Sequence, residues 1–428
     1  MAKNKEKNNQ SSLEVELSKE LGLKEAMGIA IGALIGGGVF SVLGLVIYDS
    51  GPAAFIAFLL AGIVSSFTAY SYIHLATKFP RAGGAFIYVR EASKSKWLSG
   101  LLGIILWFGY SFSVGLYAMT FGWYLGAVLP GGENILINLP MYQVPIDTFI
   151  FQILSIFLFV GINLIGVKES SRTQNILVII KVAILLLYVI VGIFAIKGSH
   201  FTNPGFLPNG VLPLISSSVL IFVSMEGFEI LSNSVEEMKN PKKDLPTGMF
   251  LSIIIVLFLY VSVAIVTVGV LGMNPENLGL GFPKLSEMSE VILTYSATIF
   301  LRNAGGWIMA IAAILSAASA INATLLGSSR LSYMLSYEGV IPKKIAKINA
   351  KTRVPARAII ISGIISLIFV FLFNIEVVAT VASIIFMIIF GAVNVSAIKL
   401  LEGKRKIPSA IGVILIIVYW IIWITTMF

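Results

Sequence analysis

The sequence has no cysteine and only two histidines, His74 and His200, among its 428 residues. The first absence excludes a disulfide framework, thiol catalysis and cysteine-ligated metal sites. The second leaves little with which to build a histidine metal centre. No metal and no cofactor are expected. Charge is scarce as well: Asp, Glu, Lys and Arg make up 12% of residues, about half the share found in soluble proteins. Hydrophobic residues reach 57% and mean hydropathy is +0.94. A soluble chain this apolar could not cover itself with polar surface. Phe79-Pro80-Arg81-Ala82-Gly83-Gly84 is glycine-rich but lacks the Gly-Lys-Ser/Thr ending of a phosphate loop, so no nucleotide use is indicated.

What the chain does have is a succession of long apolar runs separated by charged or Gly/Pro-rich breaks. A bilayer core needs about 20 apolar residues per helix. Eleven candidates lie near Ala26–Ile47, Pro52–Thr77, Trp97–Val128, Phe149–Val167, Ile176–Ile196, Leu212–Leu231, Met249–Leu271, Trp307–Ser329, Ala358–Phe373, Val377–Ile398 and Ile407–Met427. The third is long enough to tilt or to extend past the membrane, and the ninth is short. Residues 1–24 read as a polar tail and not as a signal peptide, which would need an apolar stretch and a small-residue cleavage site. The fold class expected is all-α and integral to the membrane.

Lysine and arginine set the orientation. With the N-terminus inside, 26 of the 30 basic residues fall in inner segments. Three, Lys197, Lys284 and Arg302, fall outside, and Lys181 lies within a span. The expectation is a multi-pass protein of the cytoplasmic membrane, N-terminus in the cytoplasm and C-terminus outside. The net charge of +9 is then drawn to anionic membrane lipids, and nucleic acid need not be invoked.

Three features break membrane rules. Span one carries Gly28, Gly32 and then Gly36-Gly37-Gly38. Glycines at every fourth position let another helix come close, but three in a row cost about 1 kcal/mol each in a helix. The triplet therefore favours an unwound point. Span six carries Glu226-Gly227-Phe228-Glu229, although an ionisable group at the bilayer centre costs at least ~2.5–3.5 kcal/mol. Glu229 lies nearer the inner end; Glu226 lies deeper. Span five carries Lys181 among Ile179, Ile180, Val182 and Ala183. It either snorkels or is a buried amine that gains and loses a proton.

Spans one and six are five apart, so the second set of five enters from the opposite side. Matching interruptions in two inverted halves point to a secondary transporter. A broken helix exposes N–H groups at one new end and C=O groups at the other. The first suit a carboxylate and the second an ammonium, so one centre offering both suits a zwitterion.

Four motifs carry a family resemblance. They are Gly32 to Phe40, Phe79 to Phe86, Glu226 to Glu229 with Glu237 to Pro246, and Asn322 to Arg330 leading to Glu338–Pro342. In order and spacing they resemble the amino acid–polyamine–organocation transporters, in particular the bacterial and archaeal amino acid permeases, over nearly the whole chain. The resemblance implies eleven transmembrane helices built as an inverted five-plus-five repeat with helices one and six broken. The repeats would span about 25–197 and 212–398 of a core at 25–398, with 407–428 as an additional helix.

The resemblance further implies that the substrate carboxylate meets backbone N–H groups at Gly36, Gly37 and Gly38. The amino group would meet carbonyls around Ala33, Ile35, Phe222, Val223 and Ser224, beside Gly227. Lys181 would stand where sodium-coupled relatives hold a sodium ion, near Ser316 and Ser319, with Glu229 at an often acidic position. Many relatives have an aromatic gate four residues before the span-six glycine, where Val223 stands here with Phe222 beside it. Glu226 falls where the substrate side chain is often met, so it either favours a cationic or polar side chain or bonds a neighbouring helix. The function implied is transport, not catalysis: proton-coupled amino acid symport by alternating access. A sodium-coupled or exchanging amino acid or polyamine carrier, and a sensor that has lost transport, remain as alternatives.

Overall fold

A computed structural model describes residues 21–129, 135–203, 205–272, 292–349 and 351–427. Most of the expected tail, Lys284 and Phe428 lie outside the described residues, as does the side chain of Lys168. The described residues are helical almost throughout. In order, the helices are α1 (Leu23–Leu34), α2 (Gly38–Ser50), α3 (Ala54–Lys78), α4 (Ala85–Ser93), α5 (Lys96–Val128), α6 (Ile146–Ile165) and α7 (Val167–Gly192). Then come α8 (Val211–Leu220), α9 (Ile230–Asn233), α10 (Pro241–Leu271), α11 (Ile292–Leu301), α12 (Asn303–Tyr337), α13 (Ala356–Leu372), α14 (Ile375–Leu400) and α15 (Lys406–Met427).

Among the described residues, nine helical stretches are long and apolar enough to cross a bilayer. Two further apolar helices, Ile292–Leu301 and Ala356–Leu372, are shorter. The first expected run is split between α1 and α2, and the third is a single 33-residue helix, α5, about 50 Å long at 1.5 Å per residue. Helix α11 and a small antiparallel hairpin, Leu136–Asn138 paired with Gln143–Pro145, lie between the expected runs.

The helices are amphipathic in the sense a lipid solvent demands. On α6, Ile150, Leu154, Phe157 and Leu158 are exposed, while Gln152, Ser155 and Asn163 are buried. The spacing i, i+4, i+7, i+8 makes the exposed set one apolar face. On α15, Ile407, Ile411, Ile414, Val418 and Ile421 repeat the pattern. Starts are marked by ordinary caps: Ser95 accepts a bond from the Leu98 amide (3.2 Å) and Asn374 one from the Val377 amide (2.9 Å).

Buried polar networks join the apolar rods. Asn163 donates to the Asn322 side-chain oxygen (2.9 Å), and Asn322 donates to Gln174 (3.0 Å), tying α6, α7 and α12. Ser71 donates to Asn394 (2.7 Å) and shares a bond with Ser409 (2.8 Å), fastening α15 to α3 and α14. In an apolar surrounding each such bond has no water to compete with it.

At the charge-rich end, the strand-like pairing of Leu21 with Met238 ties the entry of α1 to the connection before α10: the Leu21 amide donates to the Glu237 carbonyl (2.9 Å) and the Lys239 amide to Leu21 (2.8 Å). The Glu237 carboxylate accepts a bond from Arg330 of α12 (2.8 Å), and both side chains are 1% exposed. Nearby, Glu338 accepts bonds from Arg81 (2.8 Å) and from Arg90. Burial alone would raise the Glu338 carboxyl; the two guanidiniums outweigh it and hold the group below the usual carboxylate range. These bonds join the motif after span two, the connection between spans six and seven, and the end of α12.

Removing one partner of the Arg330–Glu237 pair leaves a buried charge uncompensated. Arg330→Ala is expected to destabilise the protein by about 3–5 kcal/mol. Thermal unfolding in detergent checks this, and a melting temperature within a degree of the parent would contradict it.

Candidate functional site

The glycine triplet does break its helix. Helix α1 ends at Leu34, α2 begins at Gly38, and Ile35 to Gly37 belong to neither. The amides of Gly37 and Gly38 open α2 and have no acceptor within it. The lack of side chains also serves close approach. A Cβ on Gly36 would sit 2.6 Å from the Tyr117 ring and 2.9 Å from Ala320. One on Gly37 would sit 2.4 Å from the Thr120 hydroxyl, and one on Gly38 2.2 Å from that of Ser224. The break is thus clasped by α5, α12 and the span-six segment. Gly28 and Gly32 give way instead to Asn175 and Gln174 of α7, so the close-packing reading holds for them.

Span six is interrupted over a longer stretch. After α8 the chain winds as a 3-10 helix over Ile221–Met225, runs extended at Glu226, and turns at Gly227 before α9. Gly227 has φ +113°, in the region that favours glycine. A Cβ there would lie 2.6 Å from Ala33 Cβ and 3.0 Å from the Leu34 nitrogen. The two breaks therefore touch, backbone against backbone, at Gly227 and Ala33–Leu34.

The exposed peptide groups find partners in side chains. Tyr260 of α10 donates its hydroxyl to the Leu34 carbonyl (2.6 Å). Lys181 of α7, fully buried, donates to the Gly32 carbonyl (3.0 Å), the Ile35 carbonyl (2.5 Å) and the Ser319 hydroxyl (2.5 Å). Its nitrogen has three oxygen neighbours, one for each proton an ammonium carries. Snorkelling is therefore not what Lys181 does: it ties the end of α1 and the break after it to α12. Ser319 lies against the Gly32 carbonyl (3.2 Å) as well. Ser316, one turn earlier, offers Ser319 only its carbonyl (2.9 Å), and its own buried hydroxyl has no partner.

The two carboxyls are buried at the span-six break. Glu226 Oε1 accepts bonds from Ser113 and, at 3.4 Å, from Tyr117. Glu229 Oε2 accepts from the Gly227 amide (2.6 Å), two residues back at the turn. Their other oxygens, Glu226 Oε2 and Glu229 Oε1, are buried without a hydrogen-bond partner, as is the Ser224 hydroxyl. Of the remaining expected residues, Phe222 packs its ring on Phe390 and Tyr419, 5.5 and 6.3 Å between centroids. Val223 lies in an apolar cluster with Val42, Leu116 and Tyr117.

Ser113, Tyr117, Thr120 and Tyr260 are partners that the sequence reading did not single out. A signal for the first three exists: they recur at i, i+4 and i+7, a polar stripe on the predominantly apolar α5. Thr120 also shares a hydroxyl bond with Ser41 of α2 (2.7 Å).

The model of a family described as amino acid permeases matches residues 21–428. The chain belongs to that family. The resemblance read from the motifs is therefore right, and the family is one of transporters, not of enzymes. Relatives lie in several kingdoms. Protein MJ0609 of Methanocaldococcus jannaschii is 32% identical, over 96% of this chain and 91% of its own. The branched-chain amino acid permease BcaP of Bacillus subtilis is 28% identical over 94% and 84%. Cationic amino acid transporter 3 of Arabidopsis thaliana is 27% identical over 92% of this chain, which spans 63% of that relative's length.

The permease's contact at Gly227 leaves no room for any side chain. Gly227→Ala would need both a strained backbone and a displaced α1, so ligand binding is expected to be lost. Full binding by thermal shift in that variant would contradict the description of the break.

Proposed function

We propose that this permease is a secondary amino acid transporter that couples uptake to protons by alternating access around the two helix breaks. Family membership supports amino acids as the class of substrate. The observation that carries the coupling is the Lys181 ammonium, bonded to carbonyls before and within the span-one break and to Ser319 across on α12. A charged Lys181 holds α1 against α12 with three bonds; a neutral amine keeps at most two donors and a lone pair. Loss and gain of one proton thus bias the packing of two elements, which is what coupling between proton and substrate requires.

In this reading the substrate carboxylate is held at Gly36, Gly37 and Gly38, where α2 opens and the dipole is positive. The Gly37 and Gly38 amides are the free donors, since the Gly36 amide donates to the Leu34 carbonyl (3.0 Å). The ammonium faces carbonyls around Ala33, Ile35 and Phe222–Ser224, with Glu226 and Gly227 completing the site and Glu229 and Ser316 on the coupling side. The reading includes eleven spans with the N-terminus inside and the C-terminus outside. It also includes two inverted repeats, at about 25–197 and 212–398, and an additional helix at 407–428. Contacts at the charge-rich end then close the inner side, and release of Leu21, Glu237 and Arg330 from one another opens it.

The test is uptake into liposomes loaded with purified protein. The parent should accumulate amino acid under a proton gradient without sodium. Lys181→Ala should lose gradient-driven accumulation while remaining folded. Full accumulation by the variant would overturn the coupling role, and a requirement for sodium would replace the proton with that ion.

A further inference from the structure

The buried ionisable groups around the breaks do not pair off. Lys181 is the one basic group there, and its partners are two carbonyls and a hydroxyl. Glu226 and Glu229 are both buried, and neither stands among the four ion pairs found in the described residues. Two carboxyls thus face one amine in a region where water is excluded, and an unpaired buried carboxylate is costly. Glu226 in particular is only half used. Oε1 takes the hydroxyls of Ser113 and Tyr117, which fix its orientation, while Oε2 is buried with no donor. A carboxylate held by one oxygen and bare on the other is arranged as an acceptor for a further donor.

The position of that oxygen says which donor. Tyr117 touches both ends of the site: its ring lies against Gly36 and its hydroxyl reaches Glu226. The far end of the Tyr117 ring meets Gly36 and its hydroxyl meets Glu226 Oε1, so the glycine break and the Glu226 carboxyl flank the same ring end. A second observation concerns the approach. At the end of the bundle opposite the Glu338 cluster, a cavity of about 170 Å3 is lined by Asp49, Ser217, Leu220, Glu376, Ser383 and Trp423. Two acidic residues and no basic one line it. Its Ser383 hydroxyl accepts a bond from the Val223 amide (3.1 Å), three residues from Glu226. An acid-lined cavity favours cations.

We infer that Glu226 is the specificity-determining residue of the transport site and that the preferred substrate is an amino acid with a cationic side chain, its distal ammonium or guanidinium bonded to Glu226 Oε2. This rests on the amino acid transport proposed above and narrows its substrate class. The distal cation supplies the missing donor and the missing positive charge together. A neutral amino acid supplies neither.

The experiment measures binding by thermal shift and isothermal calorimetry, and uptake in liposomes, with lysine, arginine, leucine and cadaverine as probes. The parent should prefer lysine or arginine to leucine, and lysine to cadaverine, which lacks the carboxylate. In Glu226→Gln, which keeps an oxygen for Ser113 and Tyr117, the ratio of arginine to leucine affinity should fall about tenfold or more, the worth of one charge-assisted bond. Glu226→Asp, which keeps the charge, should retain more of that ratio than Glu226→Gln. If the parent prefers leucine, or if Glu226→Gln leaves the ratio unchanged, this inference is overturned while amino acid transport stands. The parent's own ranking needs no variant to fold. If no amino acid binds or is taken up, or cadaverine matches lysine, the amino acid reading itself fails.

Discussion

A helix broken inside a bilayer exposes peptide groups that only the protein can satisfy, because no water is at hand to do so. Much of what is unusual in this chain answers that constraint. The break in span one takes a lysine, a tyrosine hydroxyl and a serine hydroxyl from three other helices. The break in span six takes a carboxylate from its own chain two residues on. The glycines at Gly36–Gly38 and Gly227 let these partners and the opposing backbone come near enough to serve. None of the partners is local to span one, so the break persists only while the bundle is assembled around it.

On the function proposed above, the same arrangement makes the breaks a site instead of a defect. Groups that bond to protein stabilise the fold; groups left over are available to a solute. Here the left-over groups are the amides that open α2, the second oxygens of two carboxyls and the hydroxyl of Ser224. They collect where the two interrupted helices touch. Around them, the scaffold of α6, α7 and α12 is knit by buried side-chain bonds such as Asn163 to Asn322. The contacts at Leu21, Glu237 and Arg330 stand apart from the site, at the end of the bundle where the positive charge is concentrated.

Much of this was legible in the sequence, for definite physical reasons. A lysine, two glutamates and three consecutive glycines inside apolar runs are expensive there, so each announces a partner. The partners themselves were harder to read. Tyr260 and Tyr117 are amphipathic residues at home in any membrane helix, and only the fold shows which carbonyl or carboxylate their hydroxyls reach. The direction of Phe222 could not follow from helical periodicity, because the 3-10 winding of Ile221–Met225 changes the angle per residue and turns the ring toward Phe390. Helix α11 escaped notice because ten residues are too few for a span.

The central claim is that small solutes are held by peptide groups freed at the paired breaks. Hydrogen–deuterium exchange of the purified permease, with arginine and separately with leucine at concentrations shown to bind, tests it most directly. The account predicts added protection of the amides at residues 36–39 and 226–230 with a ligand that binds. Binding that leaves both segments unchanged while protecting amides elsewhere would contradict it.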